Sequence, residues 1–244
     1  MAIRFLWQNY HPDATVTASS ASADWPISFL QNRWPTLVHR TTGVSAEWWK
    51  WDLGMAQTIK YFVFWNHNFT SGATLTLQAN SEDSWGAPPY SASVTWRAEK
   101  LIHYPDQNYK WWRLVVANAG NPDGYLKGGY TYLGSYFEPT YNYQNKRKEL
   151  IDPSIVSLSS EGQVAIADRT KYKALVYDFA AVTDSDKSTL EAIWGTLGLG
   201  EPWFLIESSS APENVLYVRN IASWVFEPVK QNISTFSLSV ETVR

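Results

Sequence analysis

The run Trp48-Trp49-Lys50-Trp51-Asp52-Leu53-Gly54 decides how this chain folds. In an extended strand successive side chains point to opposite faces, so Trp49 and Trp51 share one face and Trp48 takes the other. At least one large ring must therefore meet a loop, a partner or solvent. Asp52 stands two residues before Gly54, a spacing at which a carboxylate caps a turn. Upstream lie Ala18-Ser19, Ala21-Ser22, Trp25-Pro26, Leu30, Arg33 and Thr36, and downstream comes His67-Asn68.

Outward from that run the chain breaks into short β-like segments at 58–66, 73–79, 92–96, 111–117 and 130–137. Gly, Pro, Asn and Asp clusters at 81–89 and 118–124 separate them, the pattern of an antiparallel sandwich with long connecting loops. Leu75, Leu77 and Ala79 alternate with Thr74, Thr76 and Gln78, so one face is expected to be buried.

The 244 residues are 45% hydrophobic and 18% charged, which describes a globular chain rather than a disordered one. That length suits two modest domains. Cysteine is absent, which removes disulfides, thiol nucleophiles and cysteine-held zinc. The net charge of −3 gives no basic footprint for specific nucleic-acid binding, and all of it falls within 143–244. No apolar run approaches the roughly 20 residues of a membrane span. The N-terminal residues lack the uninterrupted apolar stretch of an export signal, so the sequons at Asn68 and Asn232 are read as chance matches.

Eleven of the fourteen tryptophans precede residue 113, so the two parts of the chain differ in composition. The charged segment Tyr143-Gln144-Asn145-Lys146-Arg147-Lys148-Glu149 marks the expected boundary. Beyond it, Leu190, Ile193, Trp194 and Leu197 fall at helical spacing and predict one helix over about 184–197, capped by Thr183 or Asp184 and stopped at Gly198. Strands are expected at 174–182, 203–207, 215–218, 223–226 and 233–241. In the last of these Phe236, Leu238 and Val240 alternate against Ser237, Ser239 and Glu241.

The motifs of 18–68, together with Lys110-Trp111-Trp112-Arg113-Leu114-Val115-Val116 and Leu133-Gly134-Ser135-Tyr136-Phe137-Glu138, resemble the galactose-binding-like (discoidin-type) jelly roll. That resemblance covers 1–142 and implies a sandwich that binds or assembles and seldom catalyses. The remainder is less specific. Leu175-Val176-Tyr177-Asp178-Phe179, the helix, Gly200-Glu201-Pro202-Trp203-Phe204 and the ending Phe236-Ser237-Leu238-Ser239-Val240-Glu241 resemble the tail-tube-like domain of phage tail proteins. The expected fold is thus mainly β: a jelly roll over 1–142, a linker over 143–154, and a tail-tube-like β domain with one helix over 155–244.

Four histidines are present, His11, His39, His67 and His103, and none has a second ligand at metal spacing. His67 reads as a hydrogen-bonding structural residue or, less simply, a catalytic one. No nucleophile elbow and no Gly-rich phosphate cradle occurs. No catalytic residue, metal site or cofactor is therefore assigned, and the protein is read as a non-enzyme. Asp13, Asp24 and Asp52 are the early acids placed for a calcium loop, but Asp52 reads more simply as a turn cap. Trp25, Trp34, Trp85 and Tyr90 fall in loop-like segments. Their flat rings suit stacking on sugars, and equally suit plugging the sandwich ends or making subunit contacts.

Two functions follow as expectations. The resemblance implies a structural protein of a long-tailed phage tail tip, a distal or minor tail protein located in the virion. Its ring, hexameric if the resemblance holds, would contact tube and hub proteins, with DNA passing through a mildly acidic lumen. Ile233, Phe236, Leu238 and Val240 would form an open assembly edge. The alternative is a non-enzymatic carbohydrate-binding protein that recognises host-surface glycans.

Overall fold

A computed structural model describes residues 2–34, 36–158 and 163–243. The chain divides into two compact units, one of Gln8–Tyr136 and one joining Met1–Trp7 to Phe137–Arg244. The first strand, β1 (Arg4–Leu6), therefore belongs with the C-terminal half.

The unit of Gln8–Tyr136 is a jelly-roll sandwich. Its strands are β2 (Thr15–Ala18), β3 (His39–Arg40), β4 (Glu47–Ile59), β5 (Tyr61–Trp65) and β6 (Thr74–Asn80). They continue as β7 (Tyr90–Ser93), β8 (Lys100–His103), β9 (Gln107–Ala117), β10 (Lys127–Gly128) and β11 (Thr131–Gly134). Five form one sheet, in the order β2-β4-β9-β6-β7, and three form the other, β11-β5-β8. Trp49, Trp51, Trp112, Leu114 and Leu77 of the first sheet pack on Phe62, Phe64, Leu101 and Leu133 of the second. The expected alternation holds: Trp49 and Trp51 are fully buried while Trp48 lies on the outer face. Gly54 sits at φ 76°, and its N–H donates to Asp52 Oδ1 at 2.9 Å, as the turn reading requires.

The segment expected as one strand over 58–66 is two. Ile59 pairs with Gln107 in the five-stranded sheet, whereas Tyr61 pairs with Gly134 in the other, so the chain changes sheets at Lys60. Tyr90 also differs from expectation, since it opens β7 opposite Ala79 rather than lying in a loop.

The second unit contains β12 (Asn145–Ile151), β13 (Ile155–Leu158), β14 (Val164–Ala167), β15 (Tyr172–Thr183), α1 (Asp184–Leu197), β16 (Trp203–Ile206), β17 (Val215–Asn220), β18 (Phe226–Lys230) and β19 (Ile233–Thr242). Its main sheet runs β1-β16-β17-β19-β15-β12, with β18 also on β19. Ile3 and Phe5 are fully buried, and the Phe5 ring stacks on Trp203 at 5.5 Å.

Three expectations are corrected here. Residues 1–7 and 137–142 lie outside the jelly roll, because β1 pairs antiparallel with β16 and Phe137 bonds Phe5. The expected linker 143–154 holds a strand, β12, paired with β15. Its run of Lys146, Arg147, Lys148 and Glu149 is the charged surface of a sheet edge, which discourages pairing with other chains. The expected assembly edge is not open either. β19 has β15 on one side and β17 and β18 on the other, and Phe236, Leu238 and Val240 are core residues, while Ile233 pairs with Thr183. An extended strand with both sides paired has no free ladder to offer a neighbour.

The helix forms as its pattern predicts. Thr183 Oγ1 accepts from the Asp186 N–H at 3.1 Å, Gly198 ends it at φ 51°, and Leu190, Ile193 and Leu197 are buried. Trp194 packs against Trp224 with ring centroids 5.4 Å apart.

Candidate functional site

One end of the sandwich gathers the termini of β2 and β9 and the beginnings of β4 and β6. There the short β3–β10 pair places Arg40 opposite Lys127. Two backbone bonds tie Trp25 to this strand: the Arg40 N–H donates to the Trp25 carbonyl at 3.1 Å, and the Ser22 N–H donates to the Arg40 carbonyl at 2.8 Å. On the other side, the Thr41 N–H donates to the Leu126 carbonyl and the Leu126 N–H to Thr41 Oγ1, both at 2.9 Å, which fixes Tyr125 beside Arg40.

The result is a guanidinium resting on two rings. Arg40 Cζ lies 3.8 Å from the Trp25 ring centroid and 4.6 Å from that of Tyr125. Such contacts contribute about 0.5–2 kcal/mol each and hold the planar group in one orientation. Among the described residues Arg40 has no carboxylate partner, and its buried Nε makes no hydrogen bond. A half-buried cation normally carries such a partner, and the terminal nitrogens of the fork can take one from a bound molecule.

The rim is polar and rigid. Asn68 Nδ2 donates to Asp123 Oδ2 at 2.8 Å and to the Tyr125 carbonyl at 2.9 Å, and Asn68 Oδ1 accepts from the Lys127 N–H. Asn121 Nδ2 donates to the Asn68 carbonyl, while Asn118 bonds both the N–H and the hydroxyl of Thr70. A fork of N–H donors, aromatic rings and a firm amide rim can hold two neighbouring hydroxyls or a carboxylate of a small polar ligand.

The histidines are used by the core. Trp51 Nε1 donates to His11 Nδ1 at 2.8 Å, and Trp49 Nε1 donates to His39 Nδ1 at 2.9 Å. His67 Nδ1 accepts from the Phe69 N–H at 3.1 Å, in keeping with a structural role, and Tyr90 bonds His103 Nε2 at 2.8 Å. Burial lowers His11, His39 and His67 to about 4, so all three are neutral at physiological pH. Among the described residues no cluster of three metal-ligating side chains occurs.

No protein-family model matches the chain, and no curated protein matches it. Among solved structures it is similar to a fucose-binding module, SpX-3, of Streptococcus pneumoniae (13% identity, TM-score 0.44, 53% of this chain and 98% of that one). It is also similar to chitosan-binding module 1 of a chitosanase/glucanase from Paenibacillus sp. IK-5 (21%, 0.43, 52% and 98%). A third similar structure is the lectin domain of lectinolysin complexed with Lewis B antigen (12%, 0.43, 52% and 97%).

The four aromatic residues singled out in the sequence do not converge. Trp25 belongs to the Arg40 cluster. Trp34 follows the 3-10 turn Ile27–Gln31 and is 58% exposed. Trp85, in the β6–β7 loop, lies under Arg113, whose Cζ is 4.4 Å from its ring centroid. Tyr90 packs on Trp112 and His103. Sequence reading missed Arg40 and Tyr125, which the β3–β10 pairing and the Thr41–Leu126 bonds bring together across the chain.

Proposed function

We propose that this chain is a non-enzymatic carbohydrate-binding protein, and that the loop end of its jelly-roll unit recognises the glycan through Arg40, Trp25 and Tyr125. The observation that carries this reading is the Arg40 guanidinium, stacked on two rings and without an acceptor among the described residues. Sugars offer what the site lacks: adjacent oxygens for the fork and an apolar ring face for an aromatic edge. Host-surface glycans are the proposed targets. The four histidines are occupied in structural bonds, which supports a binding role over catalysis.

A glycan array probed with the wild-type chain and with Arg40→Ala tests this. Saturable binding to a defined set of glycans, lost in Arg40→Ala at unchanged melting temperature, is the expected result. Equal binding by both proteins contradicts the site, and no binding to any glycan contradicts the function.

A second reading, a subunit of a phage tail-tip ring, is favoured by one observation on the C-terminal unit. The β13–β14 hairpin exposes Ile155, Val156, Val164 and Ile166 at 50–63%, and Leu150 is 71% exposed. Val156, Val164 and Ile166 share one face of the hairpin, and exposed apolar surface of that kind marks a contact with another protein. Sedimentation analysis separates the readings: a closed ring supports assembly, and a monomer that binds glycan supports recognition alone.

A further inference from the structure

We infer a second ligand surface on this protein, the outer face of the five-stranded sheet, built to hold an extended polysaccharide that carries occasional carboxylates.

The face is assembled from the side chains that alternation directs away from the core. Trp48 and Lys50 come from β4, Trp111 and Arg113 from β9, and Gln78 from β6, with Lys50 opposite Arg113 and Arg113 opposite Gln78 across the ladders. Trp48, Trp111 and Trp85 are each half-buried, unlike Trp49, Trp51 and Trp112, which are fully enclosed. Lys50 Nζ stands 5.4 Å from the Trp48 ring centroid and 5.3 Å from that of Trp111, so one ammonium joins two indoles on neighbouring strands.

The β6–β7 loop folds back to wall this floor. Asp83 accepts from Lys50 at 2.6 Å and from Trp85 Nε1 at 2.6 Å, and Trp85 lies against Arg113. Gln78 Oε1 accepts from Arg113 Nη2 at 2.6 Å and from Nε at 3.0 Å. Each polar group is thereby fixed before any ligand arrives, which lowers the ordering cost of binding. Three half-exposed tryptophans on one sheet face are more apolar surface than a strand of that kind needs for folding.

The charges choose the occupant. Lys50, Lys110 and Arg113 supply three cations, whereas Asp52 and Asp83 supply two anions, in ion pairs with Lys110 at 3.5 Å and with Lys50. Arg113 bonds the neutral Gln78 and shares the Asp83 carboxylate with Lys50 through space, so the face carries one cation more than it has anions. One such cation among indoles suits a sugar chain with sparse carboxylates, stacked through its apolar ring faces. A nucleic-acid strand, charged at every nucleotide, calls for a denser cationic groove. This surface stands apart from the Arg40 cluster and does not depend on it.

The test is calorimetry with the loop end silenced by Arg40→Ala. Hyaluronan, alginate and polygalacturonate oligosaccharides serve as probes, with carboxyl-reduced hyaluronan and oligo-dT as controls. We expect at least one acidic oligosaccharide to bind, at least tenfold weaker binding after adding Trp48→Ala and Trp111→Ala or Arg113→Gln, and a similar loss with carboxyl-reduced hyaluronan when hyaluronan is the ligand. The melting temperature reports that each variant is folded. No acidic probe binding, binding indifferent to those substitutions, or tighter binding of oligo-dT overturns the inference. Because Arg40 is already replaced, none of these failures touches the loop-end site.

Discussion

Trp51 Nε1 donates to His11 Nδ1 at 2.8 Å inside the sandwich, and His11 Nε2 bonds the Leu30 carbonyl at 2.8 Å. This fixes the proton on Nε2, because the ring must accept at Nδ1 and donate at Nε2. A protonated imidazole could not accept from Trp51 and would have no room for its charge. The fold thus depends on a neutral histidine, as it does again where Trp49 meets His39.

A pH dependence follows. His11, His39 and His67 are lowered to about 4 by burial, against an ordinary value near 6.5. Between those values the unfolded chain binds protons that the folded chain refuses, so stability is complete above about pH 6.5 and declines as pH falls towards 4. At pH 5 the loss is on the order of 2 kcal/mol for His11 alone. Urea unfolding of residues 8–136 at pH 7.5 and pH 5 checks it; equal midpoints contradict the account.

The placement of β1 predicts how the units respond separately. Phe5 is fully buried, exchanges two 2.9 Å backbone bonds with Phe137 and stacks on Trp203. Phe5→Ala is expected to cost the C-terminal unit about 3–5 kcal/mol, as large-to-small core changes do. The isolated segment 8–136 should fold without it. Failure of that segment to show a cooperative melt contradicts the division.

In the helix, Ile193 is fully buried and Thr183 caps the first turn. Ile193→Ala is expected to cost about 2–5 kcal/mol and Thr183→Ala about 1 kcal/mol. Chemical denaturation followed by circular dichroism measures both, and an exposed-like response at Ile193 contradicts the packing of α1 on β15 and β19.

What was legible in the sequence was whatever has a local period. The alternation of Trp48, Trp49 and Trp51, the turn at Asp52 and the stripe of α1 all follow from neighbours within a few residues. Long-range pairing was not legible. Arg4–Leu6 joins Trp203–Ile206 across most of the chain, and nothing in three residues announces that partner. β12 was hidden because a charged edge strand has the composition of a loop. β19 looked like an edge because alternation reports a buried face, not whether the ladder sides are filled. Arg40 was overlooked because its two rings come from separate loops.

The most direct test of glycan recognition is a titration of 15N-labelled protein with the strongest ligand from the array, followed at the Arg40 side-chain Nε–H and the Trp25 indole N–H. The account predicts saturable shifts of both resonances, with one dissociation constant, and loss of the Trp25 shift in Arg40→Lys, which keeps the charge but loses the fork. Ligand binding that leaves the Arg40 and Trp25 signals where they stand would contradict it.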